Sequence, residues 1–217
     1  MGTKGIRRAC LQLAVVLAVA ASAEAGEVRG KVTGTIEDGP AVVWIEGVSS
    51  SAVPKQDTVI THTAGGKFEP FLSVGFVGNS FVLRNDDGTM HNTHLYMRLA
   101  YQKEVSQRPL HYGATVYNVA LPHSGVEVRK PIVPFHRYRE ETGFIEVVCN
   151  RHPDEHAFVL VFDHPYAAIT KEDGSFTIPE VPPGEHQVRV WRAGSVTKGK
   201  VVNVKDSKPT EVVIEQG

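Results

Sequence analysis

The chain has 217 residues, with 23 Lys and Arg against 24 Asp and Glu, a formal net charge of -1. A charge so near zero gives no electrostatic case for binding nucleic acid or an anionic membrane surface. Ten histidines is a high count for this length, and there are only two cysteines, Cys10 and Cys149.

The N-terminus reads as a secretory signal spanning 1–25. Lys4, Arg7 and Arg8 form a positive region, 9–23 is apolar, and "AEA" at 23–25 supplies a small-x-small pattern before a cut near Gly26. A membrane anchor is the competing reading. Gln12 interrupts the apolar run, which falls short of the ~20 residues a span requires. Cleavage would leave no membrane span. Arg7-Arg8 also permits a twin-arginine route, although the flanking residues fit it poorly. Cys10 precedes the apolar run, so it does not read as a lipid-attachment site. Cys149 is then the one cysteine of the mature chain. In an oxidising compartment such a thiol is buried, paired with a partner, or a ligand.

The ~190 residues that follow are enough for one sizeable core or two small ones. "GEVRGKVTGTI" alternates, and "AVVWIEGV", "NSFVLRN", "TGFIEVVC" and "AFVLVFDH" are short apolar runs. Turn residues punctuate them at 37–40 ("EDGP"), 64–67 ("AGGK"), 86–89 ("DDGT"), 172–175 ("EDGS") and 182–185 ("PPGE"). One weak helical period lies around 93–105. From Tyr166 onward about five short strands follow in about fifty residues. That is small for an independent core, so this unit is expected to pack on the first. The pattern is all-β, a sandwich or barrel.

"VVCNRHPDEHAF" at 147–158 carries the chemistry. Cys149, His152 and His156 sit on a loop that Pro153 helps force, since proline cannot donate to a ladder. A thiolate and an imidazole on one tight turn can reach the same ion, and that pair suits copper or zinc. A second histidine must come from elsewhere, and "NDDGTMHNTH" at 85–94 offers His91. Asn92 could tie the two loops together by a hydrogen bond. The bland alternative for Cys149 is a small buried hydrophobe at a strand end.

"NDDGTMHN" with "CNRHP" resembles the paired signature of cupredoxins, the small blue-copper electron carriers. More narrowly, the chain resembles bacterial secreted proteins in which a cupredoxin-like domain is fused to a carboxypeptidase-regulatory-like β domain. "VYNVALPHSG" at 116–125 and "DHPYAAITKEDGSFTIPEVPPGEHQVRVW" at 163–191 carry that likeness. The resemblance implies a Greek-key cupredoxin-like β-sandwich over 26–163 and a small prealbumin/Ig-like β-sandwich over 164–217. It implies copper as cofactor and His91, Cys149 and His152 as equatorial ligands, with Asn92 as the asparagine after the first histidine.

The chain departs from the family where an axial methionine is usual, because that position is Glu155 and no methionine follows Met97. Glu155 is one axial candidate and His156 the alternative. His94, Met90 or Met97 could also approach from the first loop. His94 otherwise reads as a surface residue, and Met90 and Met97 as packing residues. His62, His111, His123, His136 and His186 have no cysteine or histidine at ligand spacing and read as surface or rim residues. His164, before Pro165, is expected at the domain junction.

Three functions follow as expectations. The first is a periplasmic or secreted copper protein carrying electrons, with a redox protein or a copper donor or acceptor as partner and His91 as the electron route. The second is a β-sandwich binding or scaffold module with a degenerate site, and the third is copper storage or delivery. No G-x-S-x-G elbow is present, the tail at 164–217 contains no H-x-x-E-type zinc signature, and the reading is of a protein that is not an enzyme.

Overall fold

The structure, a computed structural model, describes residues 25–34, 39–50, 52–99, 114–134, 143–197, 199–206 and 208–216. The signal reading at 1–24, Cys10, His111 and His136 lie outside the described residues. Among the described residues no helix is long and apolar enough to cross a membrane.

Strands β1 (Gly26–Gly34) and β2 (Val42–Glu46) come first. Then follow β3 (Thr58–Thr63), β4 (Lys67–Glu69), β5 (Leu72–Phe76), β6 (Ser80–Asn85), β7 (His91–Leu99), β8 (Ala114–Leu121), β9 (Glu127–Pro131), β10 (Gly143–Val148) and β11 (His156–Phe162). The C-terminal part holds β12 (Ala167–Ile169), β13 (Ser175–Val181), β14 (Gly184–Arg192), β15 (Ser195–Val196), β16 (Lys200–Val204) and β17 (Pro209–Gln216). The fold is all-β, as the turn-punctuated alternation predicts. The weak helical period at 93–105 does not form a helix over its described part, because 91–99 is strand β7. There the β-branched and aromatic residues pair on both sides, with β8 and β10.

Strands β3–β11 form one sandwich. A five-stranded sheet in the order β5-β11-β10-β7-β8 faces a four-stranded sheet in the order β4-β3-β6-β9. The chain passes back and forth between the sheets, so residues distant in sequence meet at one end. Two-residue alternation sorts the side chains. Ile60, Leu95, Ile145, Val147 and Val159 point inward and build the core between the sheets.

The remaining strands form a second sandwich: β13-β1-β17 against β12-β2-β14-β15, with β16 also paired to β14. Its composition corrects the expected domain border. The described part of 164–217 does lie in this sandwich, but so do β1 and β2, which the sequence reading assigned to the first domain. β1 pairs antiparallel with β13 and parallel with β17, and β2 lies between β12 and β14. The physical reason is the one that made 164–217 too small: about fifty residues cannot bury a core alone. The N-terminal strands supply the missing half, and Val28, Val43 and Ile45 pack with Ile178, Val188 and Val190.

The two sandwiches share a seam. "AVVWI" is apolar at successive positions because β2 is covered on both faces. Val43 and Ile45 enter the C-terminal core, while Val42 and Trp44 face outward. Trp44 and Trp191 meet Phe144, Phe158, Leu160 and Phe162 of the first sandwich there. Trp191 packs 5.2 Å from both Phe144 and Phe158, by ring centroids. His164 also lies at the junction, buried between Phe162 and Tyr166.

Candidate metal centre

The site sits at one end of the first sandwich, where β3, β7 and β10 run into their loops. It begins with Asn85, the buried last residue of β6. Its side chain donates to the carbonyls of Thr89 and Leu121 and accepts from the Asp87 N–H, which fixes the "DDGT" turn. That turn delivers His91 as the first residue of β7. By alternation His91 and Thr93 point between the sheets, and both are buried.

The 149–155 loop closes over them. The His152 N–H donates to the Cys149 carbonyl, and the Glu155 N–H to the His152 carbonyl. These two turns bring Cys149, His152 and Glu155 to one side. Asn92 locks the loop in place: its Oδ1 accepts the Asn150 N–H at 2.9 Å and lies 3.7 Å from Cys149 Sγ. Its amide nitrogen donates to Asn118 on β8.

His91 Nδ1, Cys149 Sγ and His152 Nδ1 form a triangle with edges of 3.1, 3.6 and 3.7 Å. The circle through these three atoms has a radius of ~2.0 Å, the length of a metal–imidazole bond and a little short of a zinc–thiolate bond. Glu155 adds a carboxylate, with Oε1 at 3.2 Å from His152 Nδ1 and Oε2 at 3.4 Å from His91 Nδ1. Cys149 is 1% exposed, His91 1% and Glu155 3%, so these three donors are shielded from water. The residues fit a metal ion: a thiolate, two imidazoles and a carboxylate, the donor types a soft or borderline cation takes, converge on one point.

Second contacts set the ring orientation. His91 Nε2 stands 2.7 Å from Asp87 Oδ2 and 3.1 Å from Thr89 Oγ1. A carboxylate only accepts, so Nε2 carries the proton and Nδ1 turns its lone pair toward the centre. The His91 N–H, the Thr89 hydroxyl and the Gly88 N–H hold Asp87 below the usual carboxylate range.

Three sequence expectations change here. His62, read as a surface or rim residue, is 0% exposed and belongs to the cluster. One donor atom from each of His62, His91, Cys149 and Glu155 lies within 4.8 Å of the others. No spacing pattern points to His62; it arrives because β3 runs parallel to β6 and lays His62 beside Asn85. His156, the alternative axial candidate, starts β11 with the opposite side-chain direction from Glu155. It is exposed, with Nδ1 near the Asp154 carbonyl and its ring against Phe71 and Phe158.

His91, expected to connect the centre with the surface, is buried, whereas the His152 side chain is 37% exposed. The remaining axial alternatives also fall away from the centre. Both nitrogens of His94 are engaged, by Asn150 and Thr115, and Met90 is exposed. Met97 lies six residues along β7 from His91, ~20 Å at strand rise.

No family model and no curated protein matches the chain. Solved structures similar to parts of it include a purple cupredoxin from Nitrosopumilus maritimus. That match has 17% identity and a TM-score of 0.31, covering 49% of this chain and all of the other. A Cu(I) structure of an amicyanin variant has 15% identity and a TM-score of 0.33, covering 55% of this chain and 98% of the other. A copper-containing nitrite reductase from Thermus scotoductus SA-01 has 14% identity and a TM-score of 0.33, covering 62% of this chain and 28% of the other. At such values the chemistry of the centre rests on its own distances.

Proposed function

We propose that the chain is an exported copper protein of cupredoxin type, in which His91, Cys149 and His152 hold the ion and Glu155 is the fourth donor. The observation that carries this reading is the triangle of two imidazole nitrogens and one thiolate around a common point, in a buried pocket. Two histidines and a cysteine in a trigonal set are the donors of blue-copper centres, and the soft thiolate favours copper over hard cations. Bound copper would supply one-electron exchange between Cu(I) and Cu(II).

The chain's own residues serve that exchange by resisting rearrangement. Asp87 orients His91, Asn92 clamps the loop, and the sheets hold both ends. His152, half out of the surface, is the edge through which a redox partner protein would make contact. The N-terminal pattern supports a periplasmic or secreted location. The two-sheet C-terminal unit is in keeping with a carboxypeptidase-regulatory-like β domain. No catalytic step is assigned to either sandwich. Glu155, a harder donor than methionine, also favours a second reading, copper storage or delivery to an acceptor.

The test is a Cu(II) titration of residues 26–217 followed by visible absorption, with Cys149→Ser alongside. A band that saturates near one copper per chain and disappears in Cys149→Ser is the expected result. If the variant keeps the band and the affinity, the assignment is wrong.

A further inference from the structure

His62 is the one member of the cluster whose role the ligand triangle leaves unexplained. It lies at the end of β3, on the sheet opposite His91, and both of its ring nitrogens have partners. Nδ1 is 3.0 Å from Glu155 Oε2, and Nε2 is 2.9 Å from Thr93 Oγ1. The chemistry of the partners fixes the tautomer. A carboxylate can only accept, so Nδ1 carries the proton, and Nε2 accepts from the Thr93 hydroxyl. The ring is held from both sides, with Phe68 at 4.2 Å and His91 at 4.3 Å between centroids.

An imidazole whose two nitrogens are both engaged has no lone pair to give a metal without losing a partner. What it does is hold one carboxylate oxygen of Glu155. The other oxygen, Oε1, remains against His152 and under the β3–β4 turn, where a Cβ on Gly66 would stand 3.4 Å away. Gly66 has φ +71, so the turn both requires a glycine and leaves the carboxylate its space.

From this we infer that His62 is a positioning residue. With Thr93 behind it, His62 fixes the Glu155 carboxylate as the fourth donor and so sets the character of the metal centre without ligating it. The inference rests on the copper reading above and assigns the device that replaces a soft axial donor with a hard one. A neutral hydrogen-bond donor behind a ligating carboxylate is the mirror image of the carboxylate behind a ligating imidazole, which Asp87 provides for His91.

The experiment compares the copper-loaded wild type with His62→Phe, His62→Gln, Glu155→Gln and the double variant His62→Phe/Glu155→Gln, by visible and paramagnetic resonance spectra and by Cu(II) affinity. His62→Phe keeps the ring volume and removes the donor, whereas His62→Gln keeps a donating amide. The expected result is that His62→Phe lowers affinity ~10-fold and moves the spectrum in the same direction as Glu155→Gln. His62→Phe should then add nothing in the Glu155→Gln background, and His62→Gln should keep most of the wild-type spectrum.

The apoprotein gives a readout free of metal and of variants. Long-range nitrogen–proton correlation should find His62 with its proton on Nδ1. A proton on Nε2 overturns the inference. So does a cysteine-dependent copper band that neither Glu155→Gln nor His62→Phe alters, which would leave the copper reading standing. No cysteine-dependent band in the wild type overturns both.

Discussion

The two sandwiches are built alike and filled differently. The C-terminal one has an interior of valine and isoleucine, with Tyr166 and Phe176, and its buried polar side chains among the described residues are His164 at the junction, Thr170, Arg189 and Arg192. The first has an equally apolar middle, but His62, Asn85, His91, Thr93 and Glu155 are buried at one end of it. Burying polar groups costs free energy unless each finds a partner, and here each has one within the cluster. A sheet pair therefore does not need a cluster of such groups at one end to be stable. Their concentration where three strands enter their loops marks that end as the place where stability is spent on chemistry.

The strongest test of this contrast is at the seam. Trp191→Ala removes an indole buried between the sandwiches and should cost about 3–5 kcal/mol. The seam also couples the units, so urea unfolding followed by fluorescence and by circular dichroism should give one coincident transition in the wild type. Two separate transitions, only one of them moved by the substitution, would mean that the sandwiches are independent.

The next largest effect is on pH dependence. Desolvation pushes His62 down to about 4, against the opposing hydrogen bond from Glu155 and with the help of nearby His91. The sign follows from linkage. Below pH ~6.5 the unfolded chain binds a proton at this histidine and the folded chain does not. The apoprotein should therefore lose stability as pH falls from about 6.5 to about 4, by on the order of 2–3 kcal/mol from this group, and no further below that. Chemical denaturation at a series of pH values measures it, and His62→Phe should flatten that part of the profile. A wild-type profile already flat over that range would contradict the burial of His62.

The sequence carried some of this plainly and some not at all. Cys149, His152 and Glu155 were legible because one short loop contains them and a tight turn leaves few arrangements. His91 and Asn92 were legible through a motif. His62 was not, since "THT" looks like any alternating strand, and its neighbours in space are Glu155 and Thr93, far along the chain. Alternation likewise pointed to a strand from Gly26, which is β1 (Gly26–Gly34), but could not say which sheet it joins. The apolar run beginning at Ala41 also read as a strand, but only the structure shows β2 covered on both faces, one by each sandwich.

Asn92→Ala probes the loop clamp. It frees the Asn150 N–H and loosens the loop carrying Cys149, and ~1 kcal/mol of apoprotein stability should go with it, measured by thermal melting. If the clamp is dispensable, the melting temperature will not move. At the other extreme, Arg29→Ala breaks an exposed ion pair with Glu211 on the outer face of the C-terminal sandwich. The melting temperature should stay within error, because water screens such pairs. A clear drop would show that this face is more than a solvated surface.

The parallel pairing of β1 with β17 sets the order in which the molecule can be completed. Residues from Glu27 to Gly34 align with Pro209 to Gln216, in the first and last of the described strands. At Gly30 the strands come so close that any side chain would collide with the Val212 carbonyl oxygen. A strand made early must therefore wait, one edge unsatisfied, until β17, the last of the described strands, has been made. Closing so long a loop is slow, because its entropy is lost before the contacts are gained. During that wait β1 carries an open edge with valines beside it, even once β13 has paired with its other edge, and such edges recruit wrong partners.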